Sequence, residues 1–228
     1  MFVVLFTCAL AGYLAGSIPF GLVLCYLCGY GDIRKIGSGN IGATNVLRTG
    51  NKLLALLTVL LDAFKAGIAA FAALKILPDL EINIAGIRGL NFQLNYIGAM
   101  VAGTFGVLGH MFPIWLKFKG GKGVSSAFGF ILMTDWQVAL IALYVWLVTA
   151  VLFQYSSLAA MMACIAVPVA AFFISPMLFF LFYTFIAMMV IIRHHQNISR
   201  LLSGTESKIS FKKKAKKAVK TNKETKKK

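Results

Sequence analysis

Residues 120–124 read GGKGV, three glycines around one lysine, between two apolar stretches long enough to cross a bilayer. Glycine lets successive backbone amides approach an anion and tolerates positive φ, and Lys122 adds a mobile cation, so the chemistry this loop suits is phosphate binding at a membrane surface. Three glycines in four residues weaken a helix by about 1 kcal/mol each relative to alanine. The expected structure is a backbone-lined cradle of Gly120, Gly121 and Gly123, with Lys119 and Lys122 as cations. Lys117 reads as flanking charge, and His110 stands ten residues before the loop.

Two further polar blocks adjoin apolar segments. The first, GSGNIGATNVLR at 37–48, offers Ser38, Asn40, Gly42, Thr44, Asn45 and Arg48 without an acid, a donor inventory for a polyoxyanion in which Arg48 can fork onto phosphate. Its GxGxxG match lacks the preceding strand and the βαβ unit of a dinucleotide fold, although Asp62 lies at a suitable distance. The Walker pattern fails as well, because Leu116 and Gly123 occupy positions that need glycine and Ser or Thr. In the second block, RHHQNISRLLSGTE at 193–206, a continuous helix would put His194 and Asn197 on one face with Arg200 a turn further, while His195 points elsewhere. Asp62 and Lys65, three residues apart inside an apolar run, read as a structural ion pair.

The elements that must position these blocks are membrane helices. With 59% hydrophobic and 13% charged residues in 228, the expected fold is an all-α, polytopic membrane bundle. Apolar runs near 2–28, 53–74, 96–116, 124–134, 136–153, 157–174 and 177–192 give about seven transmembrane helices, the fourth too short to cross ~30 Å unaided. Arg34, Lys35, Arg48 and Lys52 in the first loop, Lys117, Lys119 and Lys122 in the third, and the basic tail all belong inside by the positive-inside rule. Lys75 and Arg88 against Asp79 and Glu81 place the intervening loop outside. The N-terminus is then external, the C-terminus cytoplasmic, and all three polar blocks share one face.

The net charge of +16 does not imply a nucleic-acid partner, because 13 of the 23 basic residues lie from Arg193 onward and eleven are lysines of the tail. Residues 1–207 form the expected membrane-embedded domain, and 208–228 a disordered lysine-rich cytoplasmic tail, able to attract anionic headgroups. Cys8, Cys25, Cys28 and Cys164 fall in apolar stretches and read as packing residues. Neither a metal site nor a cofactor is expected.

The segments GSGNIGATNVLRTG, GHMFPIWLKFKGGKGV and RHHQNISRLLSGTE, in this order and with the weaker LLDAFKAG at 60–67, resemble the bacterial acyl-phosphate-dependent glycerol-3-phosphate acyltransferases, the PlsY family. The likeness covers residues from about 10 to 206. It implies transfer of a fatty acyl group from acyl phosphate to the 1-hydroxyl of glycerol 3-phosphate, releasing phosphate, at the cytoplasmic face of a bacterial inner membrane. A soluble enzyme that makes acyl phosphate is an implied partner. By the same likeness Ser38 and Arg48 are essential, residues 120–123 bind phosphate, His194 and Asn197 are a functional pair, and Glu206 supports structure. The residue types agree, since two phosphates held close together call for cations and amides. No HxxxxD pair follows any histidine, which disfavours a thioester donor. A transporter of a phosphorylated solute is the alternative that basic loops and glycines also fit.

Overall fold

The computed structural model describes residues 1–37, 39–83 and 91–209; Ser38 and Arg88 lie outside the described residues, as does the tail beyond Ile209. The apolar runs become helices, interrupted at Pro19 and at glycine-rich turns but not at Pro168, and the short polar segments 43–46 and 195–202 are helical as well. In chain order these are α1 (Phe2–Gly16), α2 (Phe20–Leu27), α3 (Ala43–Val46), α4 (Lys52–Ile76), α5 (Leu94–Met111), α6 (Val124–Thr134), α7 (Trp136–Phe153), α8 (Ser156–Ile174), α9 (Met177–Arg193) and α10 (His195–Leu202). Two three-residue strands, β1 (Glu81–Asn83) and β2 (Asn91–Gln93), pair antiparallel between α4 and α5. This small hairpin departs from the purely helical expectation, because a polar connection can satisfy its backbone by pairing with itself.

Among the described residues, five segments are long and apolar enough to cross a membrane, or six if α9 and α10, which meet at 56°, form one broken span. The protein is therefore a multi-pass membrane protein. The run at 2–28 is not one straight helix. Pro19 has no N–H to donate and disfavours helix at Ile18, so the chain breaks after Gly16 and restarts at Phe20. At 11 residues α6 is about 16 Å long, half a bilayer core, as its sequence length predicts.

Two of the helices start on side-chain caps. Asn51 Oδ1 accepts from Leu54 N–H at 3.0 Å at the start of α4, and Asp135 Oδ1 accepts from Val138 N–H at 3.3 Å at the start of α7. Ser175 Oγ donates to the other Asp135 oxygen at 2.5 Å, tying the α8–α9 turn to the α6–α7 turn.

Packing is by small residues, as expected where lipid is as apolar as the helix surface. A Cβ on Gly12 or Gly16 of α1 would collide with the carbonyls of Ala102 or Gly106 on α5, and one on Gly129 of α6 with the Ala63 carbonyl of α4. These contacts bring α6 against α4 at the level of Asp62, and thus fix where the α6 N-terminus sits. A larger apolar cluster around Phe130, Tyr183, Met100 and Met111 joins α4–α9, and a smaller one joins Leu22, Cys25, Ile33 and Val46 under the first loop.

Candidate active site

A cavity of about 620 Å³ is walled by α4, α6, α7, α8, α10 and the first loop. Its polar end takes Asn40, Gly42, Thr44, Asn45 and Arg48 from the first loop and Lys122 and Gly123 from the glycine loop. Asp62 and His110 also reach it, and His194, Asn197, Arg200 and Glu206 come from the bend before α10 and its surroundings. Its apolar end is lined by Val59, Phe128, Ile131, Ala142, Leu143, Trp146, Ala160, Ala163, Cys164 and Val167. The α8 positions 156, 157, 160, 163, 164 and 167 recur at helical spacing, so one stripe of that helix runs from the polar mouth about 15 Å into the apolar end.

The first loop is built by its own side chains. Asn40 Oδ1 accepts from Gly42 N–H at 3.0 Å, and the buried Asn45 donates through Nδ2 to the Ile33 carbonyl at 2.7 Å and the Ile36 carbonyl at 3.2 Å. Asn45 therefore braces the loop as well as lining the cavity. Gly37 takes φ +56°, and a Cβ there would meet the Arg48 guanidinium, so only glycine lets that cation lie across the loop.

The glycine loop is not the amide cradle its composition predicts. Gly120 N–H donates to the Met111 carbonyl at 3.1 Å and Gly121 N–H to the His110 carbonyl at 3.0 Å, so both amides satisfy the C-terminal end of α5. Neither glycine lines the cavity, and Lys119 is exposed away from it. Glycine is needed for close approach instead, because a Cβ at 120 would strike the His110 carbonyl and one at 121 the His110 ring. Gly123, at φ +85°, turns the chain into α6. The cavity therefore meets the first turn of α6, where Val124 and Ser125 line it and the N–H groups lack intrahelical acceptors, a ready anion site beside Lys122. Burial lowers the Lys122 ammonium to about 8. Glu206 opposes that shift, and Arg200, Arg193 and Arg48 add to it.

The helix does not run straight through the block at 193–206. It bends at His194, yet His194 and Asn197 remain buried, 1% and 3% exposed, and reach the same cavity. His194 Nδ1 lies 2.7 Å from the Val190 carbonyl, which can only accept, so Nδ1 carries the proton and Nε2 keeps its lone pair. His195 is exposed, as its position around the helix predicts. Glu206 gathers the region: Ser157 Oγ donates to it at 2.6 Å, Asn197 Nδ2 at 2.7 Å and Arg200 Nε at 2.7 Å. Burial alone would raise the Glu206 carboxyl, but these three donors outweigh it and hold it below the usual carboxylate range. Because Nδ2 faces the carboxylate, Asn197 presents Oδ1, a buried acceptor without a partner among the described residues.

Beneath the polar end Lys65 Nζ donates to Asp62 Oδ1 at 2.8 Å and to the Ile18 carbonyl at 2.8 Å. His110 Nδ1 approaches the same carboxylate oxygen at 3.5 Å, too far for a full hydrogen bond. Sequence reasoning missed the apolar arm and the roles of Ser157 and Arg193. The arm arises from the gap left between packed helices, chiefly α6, α7 and α8; the RH pair at 193–194 was visible, but not which loop its arginine grips.

Comparison with known proteins follows the same lines. A family model described as glycerol-3-phosphate acyltransferase matches residues 6–204. The glycerol-3-phosphate acyltransferase of Rhodospirillum rubrum is 51% identical over 212 residues, covering 93% of this chain and 94% of that protein. That of Mesorhizobium japonicum is 50% identical over 201 residues, covering 88% and 94%. Among solved structures, PlsY (YgiH), an integral membrane glycerol 3-phosphate acyltransferase, superposes in its glycerol 3-phosphate form with a TM-score of 0.79 at 35% identity, covering 90% of this chain and 96% of that one. Its lysophosphatidic acid form gives 0.78 at the same identity.

Proposed function

This chain belongs to the glycerol-3-phosphate acyltransferase family, and from that premise we propose how its cavity carries out the transfer. The protein is a membrane acyltransferase of phospholipid biosynthesis that uses glycerol 3-phosphate as acceptor. The observation that carries the reading is one cavity with two unlike ends, cations and amides at one and an apolar arm at the other.

The glycerol 3-phosphate phosphate sits between Lys122 and the first turn of α6, and Arg48 holds the phosphate of an acyl phosphate donor, with Ser38 essential by the family likeness. The acyl chain follows the α8 stripe past Ala160, Ala163 and Val167, surrounded by apolar side chains. The 1-hydroxyl then lies among His194 Nε2 and Asn197 Oδ1, both acceptors. Its oxygen attacks the acyl carbonyl carbon, the bond to phosphate breaks, and the proton passes to His194 Nε2 or to the departing phosphate. Glu206 stays out of the chemistry and holds Asn197 and Arg200 in place.

Seven crossings, counting α6 and α9, place the N-terminus outside, and the basic loops and tail then face the cytoplasm of a bacterial inner membrane. Support comes from the lysine and arginine distribution and from the gathering of polar residues at one end of the cavity. The acyl phosphate would come from a soluble enzyme. The test is purified full-length protein with labelled glycerol 3-phosphate and acyl phosphate, acyl-CoA or acyl carrier protein as donor. Turnover with acyl phosphate alone is expected, and turnover only with a thioester would refute the donor assignment.

Two expected results follow from the loop. Lys122 is cationic below about pH 8 and loses its charge as pH rises through that value. The KM for glycerol 3-phosphate should therefore be flat up to about pH 7, roughly double by about pH 8 and climb toward pH 10, while Lys122→Arg, still charged there, should flatten the climb. An unchanged KM at about pH 10 would remove Lys122 from the phosphate site. Gly121→Ala, forced against the buried His110 ring, should raise the same KM about tenfold or more by displacing Lys122. Unaltered saturation behaviour would refute that linkage.

A further inference from the structure

Arg193 closes α9, yet its side chain leaves its own helix. Nη2 donates to the Gly120 carbonyl at 2.9 Å, Nε donates to the Gly121 carbonyl at 3.2 Å, and the guanidinium carbon lies 5.2 Å from the centre of the Phe112 ring. The amides of these same two glycines donate to the Met111 and His110 carbonyls. Each glycine is thus held on both sides, its N–H by the end of α5 and its carbonyl by α9. A planar fork fixes direction as well as distance, which a point-like ammonium cannot do.

The neighbours of this clamp are the two groups whose spacing matters. Lys122 follows Gly121 directly and reaches the cavity; His194 follows Arg193 directly and reaches it too. Arg193 itself is not among the residues lining the cavity, and two of its donors are occupied by carbonyls.

We infer that Arg193 is a positioning residue: by gripping the Gly120 and Gly121 carbonyls from the position before His194, it sets the separation between Lys122, which holds the acceptor's phosphate, and the imidazole that faces the reacting hydroxyl. This rests on the proposed placement of glycerol 3-phosphate. Without the fork, the loop and the α9–α10 bend lose their common register. An acceptor bound through Lys122 is then offered to His194 at the wrong distance. A misplacement of about 1 Å costs on the order of a hundredfold in rate, so the loss belongs in kcat.

The test is a double-mutant cycle in the purified full-length protein, with acyl phosphate and glycerol 3-phosphate as substrates. Arg193→Gln is expected to lower kcat about tenfold to a hundredfold while the KM for glycerol 3-phosphate changes by less than about threefold, and Arg193→Lys should recover only part of the loss. In a His194→Ala background the same Arg193→Gln change should add almost nothing, because the clamp acts through that histidine. An equal loss in both backgrounds would show a general structural role and overturn the inference, as would a rise in KM with kcat kept, the mark of a direct phosphate ligand. Wild-type protein that transfers no acyl group to glycerol 3-phosphate would sink the functional reading and this inference together, whereas wild-type turnover with additive losses would sink this inference alone.

Discussion

Asp62→Ala is expected to cost the folded protein about 3–5 kcal/mol, because it strips the counter-charge from a buried ammonium. Lys65 and Asp62 expose 3% and 4% of their side chains, and the other bond of Lys65 Nζ runs to the Ile18 carbonyl. That carbonyl cannot replace a charge. The unfolding midpoint of the detergent-solubilised protein should fall by about 6–20 °C. Replacing both partners, Asp62→Leu with Lys65→Met, should recover most of the loss, because no charge is then left buried. A single variant whose midpoint lies within about 2 °C of wild type would show that water reaches the pair and that its burial is unimportant.

His194→Ala should lower kcat by about a hundredfold to ten-thousandfold, the range for a positioned proton acceptor, and leave the unfolding midpoint nearly in place. The imidazole is buried and held by Val190 through Nδ1, so Nε2 is the atom presented to the cavity. His194→Gln keeps a hydrogen-bonding side chain but has no ring nitrogen to take the proton. It should remain at least about tenfold below wild type if the histidine accepts the proton, and approach wild type if it only orients the hydroxyl and the departing phosphate takes the proton. Activity above about a tenth of wild type in His194→Ala would remove the residue from the reaction altogether.

Much of this site was legible because membrane helices bring together what lies at their ends. Once the apolar runs were counted, the donor-rich first loop, Lys122 and the His194–Asn197 pair had to sit beside helix termini, and those termini meet at one cavity. Composition misled where it met geometry. Gly120 and Gly121 suggested free amides, but the last carbonyls of α5 need donors, and the nearest N–H groups are theirs. A helix continuing through His194 would align the pair; the chain bends there, yet both residues line one cavity, with Glu206 tying Asn197 to Ser157 of α8.

Hydrophobic spacing and the placement of lysines and arginines determined a multi-pass helical membrane protein with three polar segments at its helix ends, since both act locally and are written residue by residue. Only the tertiary structure decided which groups are used up in holding the protein together and which stay available to a ligand. Arg193 and the two glycine amides are committed to backbone, whereas Asn197 Oδ1 is a buried acceptor without a partner among the described residues. The apolar arm of the cavity likewise exists only where α6, α7 and α8 leave a gap between them. Such outcomes depend on the distance between residues far apart in the chain, and no periodicity along the chain records that distance.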